Sequence, residues 1–170
     1  MSQIKIYSTG RIDQSFRATA MKRFGYGRGA ISKAAEESLI RWTKTINKIN
    51  FLTEKIVEKS KKDDRILSVI LFGSYARKDP DFRDVDIGLL LYKSEDSSKV
   101  YSDYVSFLGG EDYLDLSIIN SLPAEVQINV FNDAVVLYCS NSSVLYDYTI
   151  ALIKKSADLR HTLREALKTV

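Results

Sequence analysis

Residues 71–91 read LFGSYARKDPDFRDVDIGLLL, and this stretch decides the fold. It closes a short apolar run, Ile66 to Phe72, whose residues are hydrophobic at both parities, the pattern of a strand buried on both faces. Gly73-Ser74 follows at once and opens a helical turn. Glycine there permits close backbone approach, and the N–H groups of the turn with the Ser74 hydroxyl can hold phosphate oxygens. A polar loop containing Pro80 leads to a second apolar strand, Val85 to Tyr92. Asp84 and Asp86 stand two apart at its start, so their carboxylates leave the same face. Like charges so placed repel unless a counter-ion lies between them. Two Mg²⁺ ions bridging the pair, a triphosphate and an attacking hydroxyl would remove that repulsion and stabilise an in-line displacement. A third carboxylate is then wanted on a neighbouring strand, and Asp115, flanked by apolar residues in YLDLSII (113–119), is the candidate. Arg77 and Lys78 could meet phosphate or be solvated.

Downstream, the pattern predicts a helix around Val100 to Leu108 closed by Gly109-Gly110, and a third strand from Tyr113 to Ile119. Pro123 opens another helix, Ala134 to Cys139 reads as a fourth strand, and Leu145, Tyr148, Leu152, Leu159 and Leu163 stripe a final helix that carries His161. Lys93 to Lys99 reads as a solvated loop. Upstream, no Gly or Pro interrupts residues 30–60, and Ala35, Leu39, Trp42, Ile46, Ile49, Thr53 and Ile56 make one apolar helical stripe. The spacing leaves open a bend near Asn47 and Asn50, where the domain boundary is placed. Residues 49–170 are thus a mixed α/β sheet with flanking helices.

Residues 1–48 differ in charge from the rest. They carry ten Lys/Arg against three Asp/Glu, a balance of +7, while residues 49–170 carry 15 against 19, a balance of −4. A basic arm on an acidic body suits an anionic partner such as nucleic acid, or is simply a solvated basic surface. Within it, Ile4, Ile6 and Ile12 share one parity while Lys5, Tyr7, Thr9 and Arg11 share the other, predicting a strand with a polar face. Asp13 is placed to cap a short helix carrying Phe16, Ala20 and Phe24, broken by the glycines of GYGRG (25–29).

The chain has 170 residues, enough for one ordinary domain with a small appendage, and no apolar stretch approaches the ~20 residues of a membrane span. The opening MSQIKIYSTGR shows no apolar signal region, so a cytoplasmic location is expected. One cysteine, Cys139, and one histidine, His161, exclude an internal disulfide and a Cys/His metal cluster. Any metal must be held by carboxylates. Cys139 follows apolar Val135 to Tyr138 and reads as a core thiol.

Gly73-Ser74, Ala76-Arg77, Asp84-Val85-Asp86 and the lone strand Asp115 together resemble the minimal nucleotidyltransferase (MNT) family of the DNA polymerase beta superfamily. Its pattern is roughly G-S-x-A-R-G, a variable loop, S-D-[IL]-D and a later apolar-flanked Asp. Two positions depart: Lys78 stands where glycine is usual and Arg83 where serine is usual. The resemblance implies a Mg²⁺-dependent transfer of a nucleoside monophosphate from ATP or another NTP. Asp84 and Asp86 would bind two metals, Asp115 would ligate the catalytic one and orient the acceptor hydroxyl, and Gly73, Ser74, Arg77 and Lys78 would contact the nucleotide. Small members of the family are commonly antitoxins that add AMP to a tyrosine of a HEPN ribonuclease toxin. A cognate HEPN-type toxin is therefore the implied partner.

Residues 3–46 resemble a ribbon-helix-helix DNA-binding module, FGYGRGAISKAAEESL (24–39) matching its turn and second helix. That resemblance implies a homodimer or hetero-oligomer and DNA contacts from Lys5, Tyr7, Thr9 and Arg11. The alternative for this segment is an accessory surface for the toxin or for self-association. The alternative for the whole chain is a catalytically weak or inactive antitoxin that neutralises by binding and represses its own operon through DNA.

Overall fold

The computed structural model describes residues 5, 7–92, 96–111 and 113–168, the last of these, 158–168, as backbone only. Contacts divide the chain into two units, Met1–Lys48 and Ile49–Val170, and the division falls inside one uninterrupted helix, α2 (Ala30–Ser60).

The first unit holds α1 (Gly10–Phe24) and the beginning of α2. Here the sequence reading is corrected. Ile4 and Ile6 lie outside the described residues, Tyr7 to Thr9 have no regular structure, and Gly10 to Ile12 are helical instead of the end of a strand. Thr9 is the N-cap and Asp13 lies in the first turn, where it pairs with Arg17 at 2.8 Å one turn on. The reason is physical: a strand needs a second strand to share its hydrogen bonds, and the described residues of this unit form none, whereas helix satisfies its backbone locally. Gly25, at φ +82, ends α1 and returns its N–H to the Met21 carbonyl at 2.9 Å. Arg23 of α1 bonds Glu37 of α2 through two nitrogens and ties the two helices together, and Arg41 bonds the same carboxylate from one turn further along α2. The buried side chains here are small, Ala20, Ala30 and Ala34, while Leu39 and Trp42 of the expected stripe are exposed. Trp42, at 61% exposure, is no core residue of this chain.

The second unit is a four-stranded sheet in the order β3-β2-β1-β4, with β1 Ile66–Phe72, β2 Val85–Leu91, β3 Leu114–Ile118 and β4 Val135–Cys139. β1 runs antiparallel to both β2 and β4, and β2 runs parallel to β3. The sheet is mixed, as the sequence predicts. Between the strands come α3 (Gly73–Ala76), α4 (Ser97–Leu108) and α5 (Ala124–Asn132), with one 3₁₀ turn at Ile119–Ser121, and α6 (Ser142–Lys168) follows β4. α4 starts three residues before the expected Val100, because the Asp96 carboxylate accepts from the N–H groups of Ser98 and Lys99. Its C-terminus is Gly109 in the left-handed region at φ +71, as the glycine pair predicts.

Consecutive strand residues are buried, so both faces of the sheet are covered. Leu67, Ile70, Leu90, Ile119 and Val130 form one core cluster, with Leu145 and Tyr148 of α6 packed against it. The end of α2 and α4 supply Ile49, Leu52, Ile56, Val100 and Tyr104, joined by a buried hydrogen bond of 3.0 Å between the hydroxyls of Ser60 and Tyr104. β4 closes one edge with Val135 and Val136 exposed, and Cys139 is half-buried rather than a core thiol. Among the described residues no helix is long and apolar enough to cross a membrane.

Candidate active site

The elements that carry the acidic residues meet at one end of the sheet. β2 and β3 run parallel in a register that sets Asp86 beside Asp115, so the two carboxylates leave the same face of adjacent strands. Phe72, the last residue of β1, stands opposite Asp86 on the other side. The next residue is Gly73, at φ +74. A Cβ added there would run into the Asp86 carboxylate, so the turn from β1 into α3 closes over Asp86 only because residue 73 has no side chain.

Charge in this region is unbalanced. Burial first, and then the negative charges of Asp84 and Asp115, raise the Asp86 carboxyl above its ordinary pKa, while Arg77 acts in the opposite direction. Asp84 and Asp115 are exposed, so Asp115 is a surface carboxylate despite its apolar neighbours in the chain. Three carboxylates that repel one another are oxygen donors of the kind hard divalent cations take, and the donor set fits Mg²⁺ in chemistry. Among the described residues, however, no three acidic, histidine or cysteine side chains converge on one point. A cation would have to draw them inward.

The loop between α3 and β2 is tied back to the turn. The N–H of Arg77 bonds the Gly73 carbonyl at 3.2 Å, that of Lys78 the Tyr75 carbonyl at 3.0 Å and that of Asp79 the Ser74 carbonyl at 3.0 Å. Tyr75 and Phe82 pack edge to face with centroids 4.9 Å apart. Lys78 holds φ +62, the one non-glycine residue described in the left-handed region. The position where glycine is usual thus keeps a glycine conformation while bearing a lysine. Arg77 is exposed, and its guanidinium donates to Asp133 at 2.6 Å and to Asp79 at 3.1 Å, which raise its pKa.

The structure therefore gathers Gly73, Ser74, Arg77, Lys78, Asp84, Asp86 and Asp115 around one sheet end. It does not gather Lys5, Tyr7, Thr9 and Arg11 on a strand face: all four are exposed, the first three without regular structure and Arg11 in α1. Asp133 was not visible as a site residue from the sequence, since 56 positions separate it from Arg77 and no local pattern marks it. His161 lies on α6 where only backbone is described.

The sequence profile of the family described as polymerase beta, nucleotidyltransferase matches residues 54–143. No curated protein matches the chain. Among solved structures, one from the complex of tri-AMPylated Shewanella oneidensis HEPN toxin with MNT antitoxin is 18% identical, with a TM-score of 0.50 over 70% of this chain and 95% of the other. A toxin-antitoxin structure with AMP-PNP gives 19% identity and a TM-score of 0.51, covering 68% and 95% of the two chains. The MntA-HepT toxin-antitoxin structure gives 15% identity and a TM-score of 0.50, covering 70% and 96%. At such identities the likeness is one of fold.

Proposed function

The chain belongs to the polymerase beta nucleotidyltransferase family, and we propose that it transfers AMP from ATP to a hydroxyl, a tyrosine of a cognate HEPN-type toxin, as the antitoxin of a cytoplasmic toxin-antitoxin pair. The observation that carries this reading is the parallel register of Asp86 with Asp115, with Asp84 just before β2 and the Gly73 turn over Asp86. The fold shared with toxin-antitoxin structures, one of them holding AMP-PNP and one an AMPylated toxin, supports the choice of nucleotide and partner.

In this reading Asp84 and Asp86 would hold Mg²⁺, joined by Asp115 on the neighbouring strand. When bound, the metal neutralises charge on the attacking and leaving oxygens. The chain's own residues position and exchange protons. Gly73 and Ser74 offer backbone and hydroxyl donors to the phosphates, and Arg77 and Lys78 offer charge. Asp115, exposed beside the half-buried Asp86, orients the acceptor hydroxyl and takes its proton. The acceptor oxygen bonds to the α-phosphorus as the bond to the bridging oxygen breaks, and pyrophosphate leaves.

A second reading is favoured by the +7 charge of residues 1–48: the first unit binds operator DNA or joins two copies, and the protein neutralises its toxin by binding. The test is transfer of label from α-labelled ATP with Mg²⁺ to the co-produced partner, wild type against Asp84→Asn. Transfer that vanishes in the variant establishes the enzyme reading. A stable complex with no transfer from any NTP sinks it and leaves the second, for which Arg11→Ala should weaken binding to promoter DNA.

A further inference from the structure

Arg77 is exposed, and exposed ion pairs contribute about 0–1 kcal/mol to stability, yet two carboxylates converge on it, one from its own turn and one 56 residues away. Asp133 comes from the corner between α5 and β4 and meets one terminal nitrogen at 2.6 Å. Asp79 comes from the strained turn after Lys78 and meets the other at 3.1 Å. An unconstrained arginine on the surface samples many rotamers. Held at one terminal nitrogen by Asp79 of its own turn and at the other by Asp133, this one is restricted in orientation, with Nε–H and a second hydrogen on each terminal nitrogen still available. Arg77 follows the Gly73 turn directly, its N–H bonded to the Gly73 carbonyl at 3.2 Å, and that turn packs against the Asp86 carboxylate.

We propose that Asp133 and Asp79 are positioning residues that hold the Arg77 guanidinium, before any ligand arrives, as a preformed contact for the nucleotide triphosphate. The proposal rests on the nucleotidyltransferase reading and adds to it a residue from the far side of the sheet order. Asp133 touches no nucleotide. It acts by removing the rotamer entropy that Arg77 would otherwise lose on binding, which is about 0.5–1.5 kcal/mol for such a side chain, or roughly 2- to 13-fold in affinity.

The test is calorimetric binding of Mg²⁺-ATP to the full chain. Asp133→Ala should weaken binding about 3- to 10-fold with the melting temperature unchanged, and Asp133→Asn, whose amide oxygen still accepts from Arg77, should restore most of it. In an Arg77→Ala background, Asp133→Ala should have no further effect. Asp79→Ala provides a second variant should Asp133→Ala fail to fold. Equal affinity in wild type and Asp133→Ala would overturn the proposal and leave an ordinary surface ion pair. Tighter binding in Asp133→Ala would overturn it as well, because the carboxylate would then be competing with phosphate. If wild type binds no NTP at all, the nucleotidyltransferase reading falls, and the proposal with it.

Discussion

Gly73 and Asp86 share one volume: the space a β-carbon would need on the glycine is filled by the aspartate's carboxylate. The left-handed φ of +74 adds a second demand for glycine at the same position. Gly73→Ala must therefore either strain the turn, at about 1–2 kcal/mol, or push Asp86 aside. We expect nucleotide transfer to fall by at least about 100-fold, since a displacement of about 1 Å costs that much in a positioned site. Ser74→Ala, which removes one hydroxyl without touching Asp86, should lose much less. Equal losses in the two variants would show that the close approach is not what matters.

Lys78 offers the opposite experiment. Its φ of +62 costs a lysine about 1–2 kcal/mol, and glycine would be relieved of that while losing roughly 0.5–1 kcal/mol to the greater freedom of the unfolded chain. Lys78→Gly should raise stability by about 0.5–1 kcal/mol in denaturant unfolding, whereas Lys78→Ala, which keeps the strain, should not.

The carboxylates at the sheet end should make stability respond to divalent cations. Mg²⁺ at ten times its dissociation constant should stabilise the wild-type protein by about 1.4 kcal/mol, read as a shift in the unfolding midpoint. Asp86→Asn should abolish that response and, in chelator, melt no lower than wild type, because it removes one of three mutually repelling charges. A Mg²⁺ response that survives in Asp86→Asn would place the cation elsewhere.

Alkaline unfolding should report Tyr104. Burial pushes its hydroxyl up to about 12, with the bond to Ser60 acting in the opposite direction. The unfolded chain ionises near the ordinary value of about 10, so this contribution to stability is fully present below that pH and is lost as the pH rises toward 12. Tyr104→Phe should cost about 1 kcal/mol at neutral pH, by leaving the Ser60 hydroxyl without its partner, and should flatten the wild-type decline above pH 10. Parallel pH profiles for the two proteins would contradict this account.

Much of the second unit was legible because its strands are short apolar runs bounded by punctuation that physics enforces. Gly73, Gly109 and Pro123 each mark a boundary where their backbone chemistry requires one. The acidic cluster was legible in part: the spacing put Asp84 and Asp86 at the start of the second strand, where Asp84 occupies the bend just before β2 and Asp86 lies in it, but the pairing of Asp86 with Asp115 depends on a register no local pattern encodes. The start of the chain misled for a related reason. Alternating side chains describe a strand only if another strand is present, and Gly10 to Ile12 extend α1 instead. Leu39 and Trp42 fit a helical stripe, yet a stripe shows which residues could be covered, not whether the chain supplies the cover. The hold of Asp133 on Arg77 lay beyond any window of sequence.

The outer edge of β4 matters at the bench. Val135-Val136-Leu137-Tyr138-Cys139 contains no charge, proline or glycine, and among the described residues no strand pairs with its outer side, where the first two valines are exposed. Protein surfaces usually guard such a border with lysine or proline. This one is a ready template for unwanted strand addition at high concentration. Yield and shelf life will depend on what lies along it, and a single Val136→Lys change is the simplest way to keep preparations from clumping.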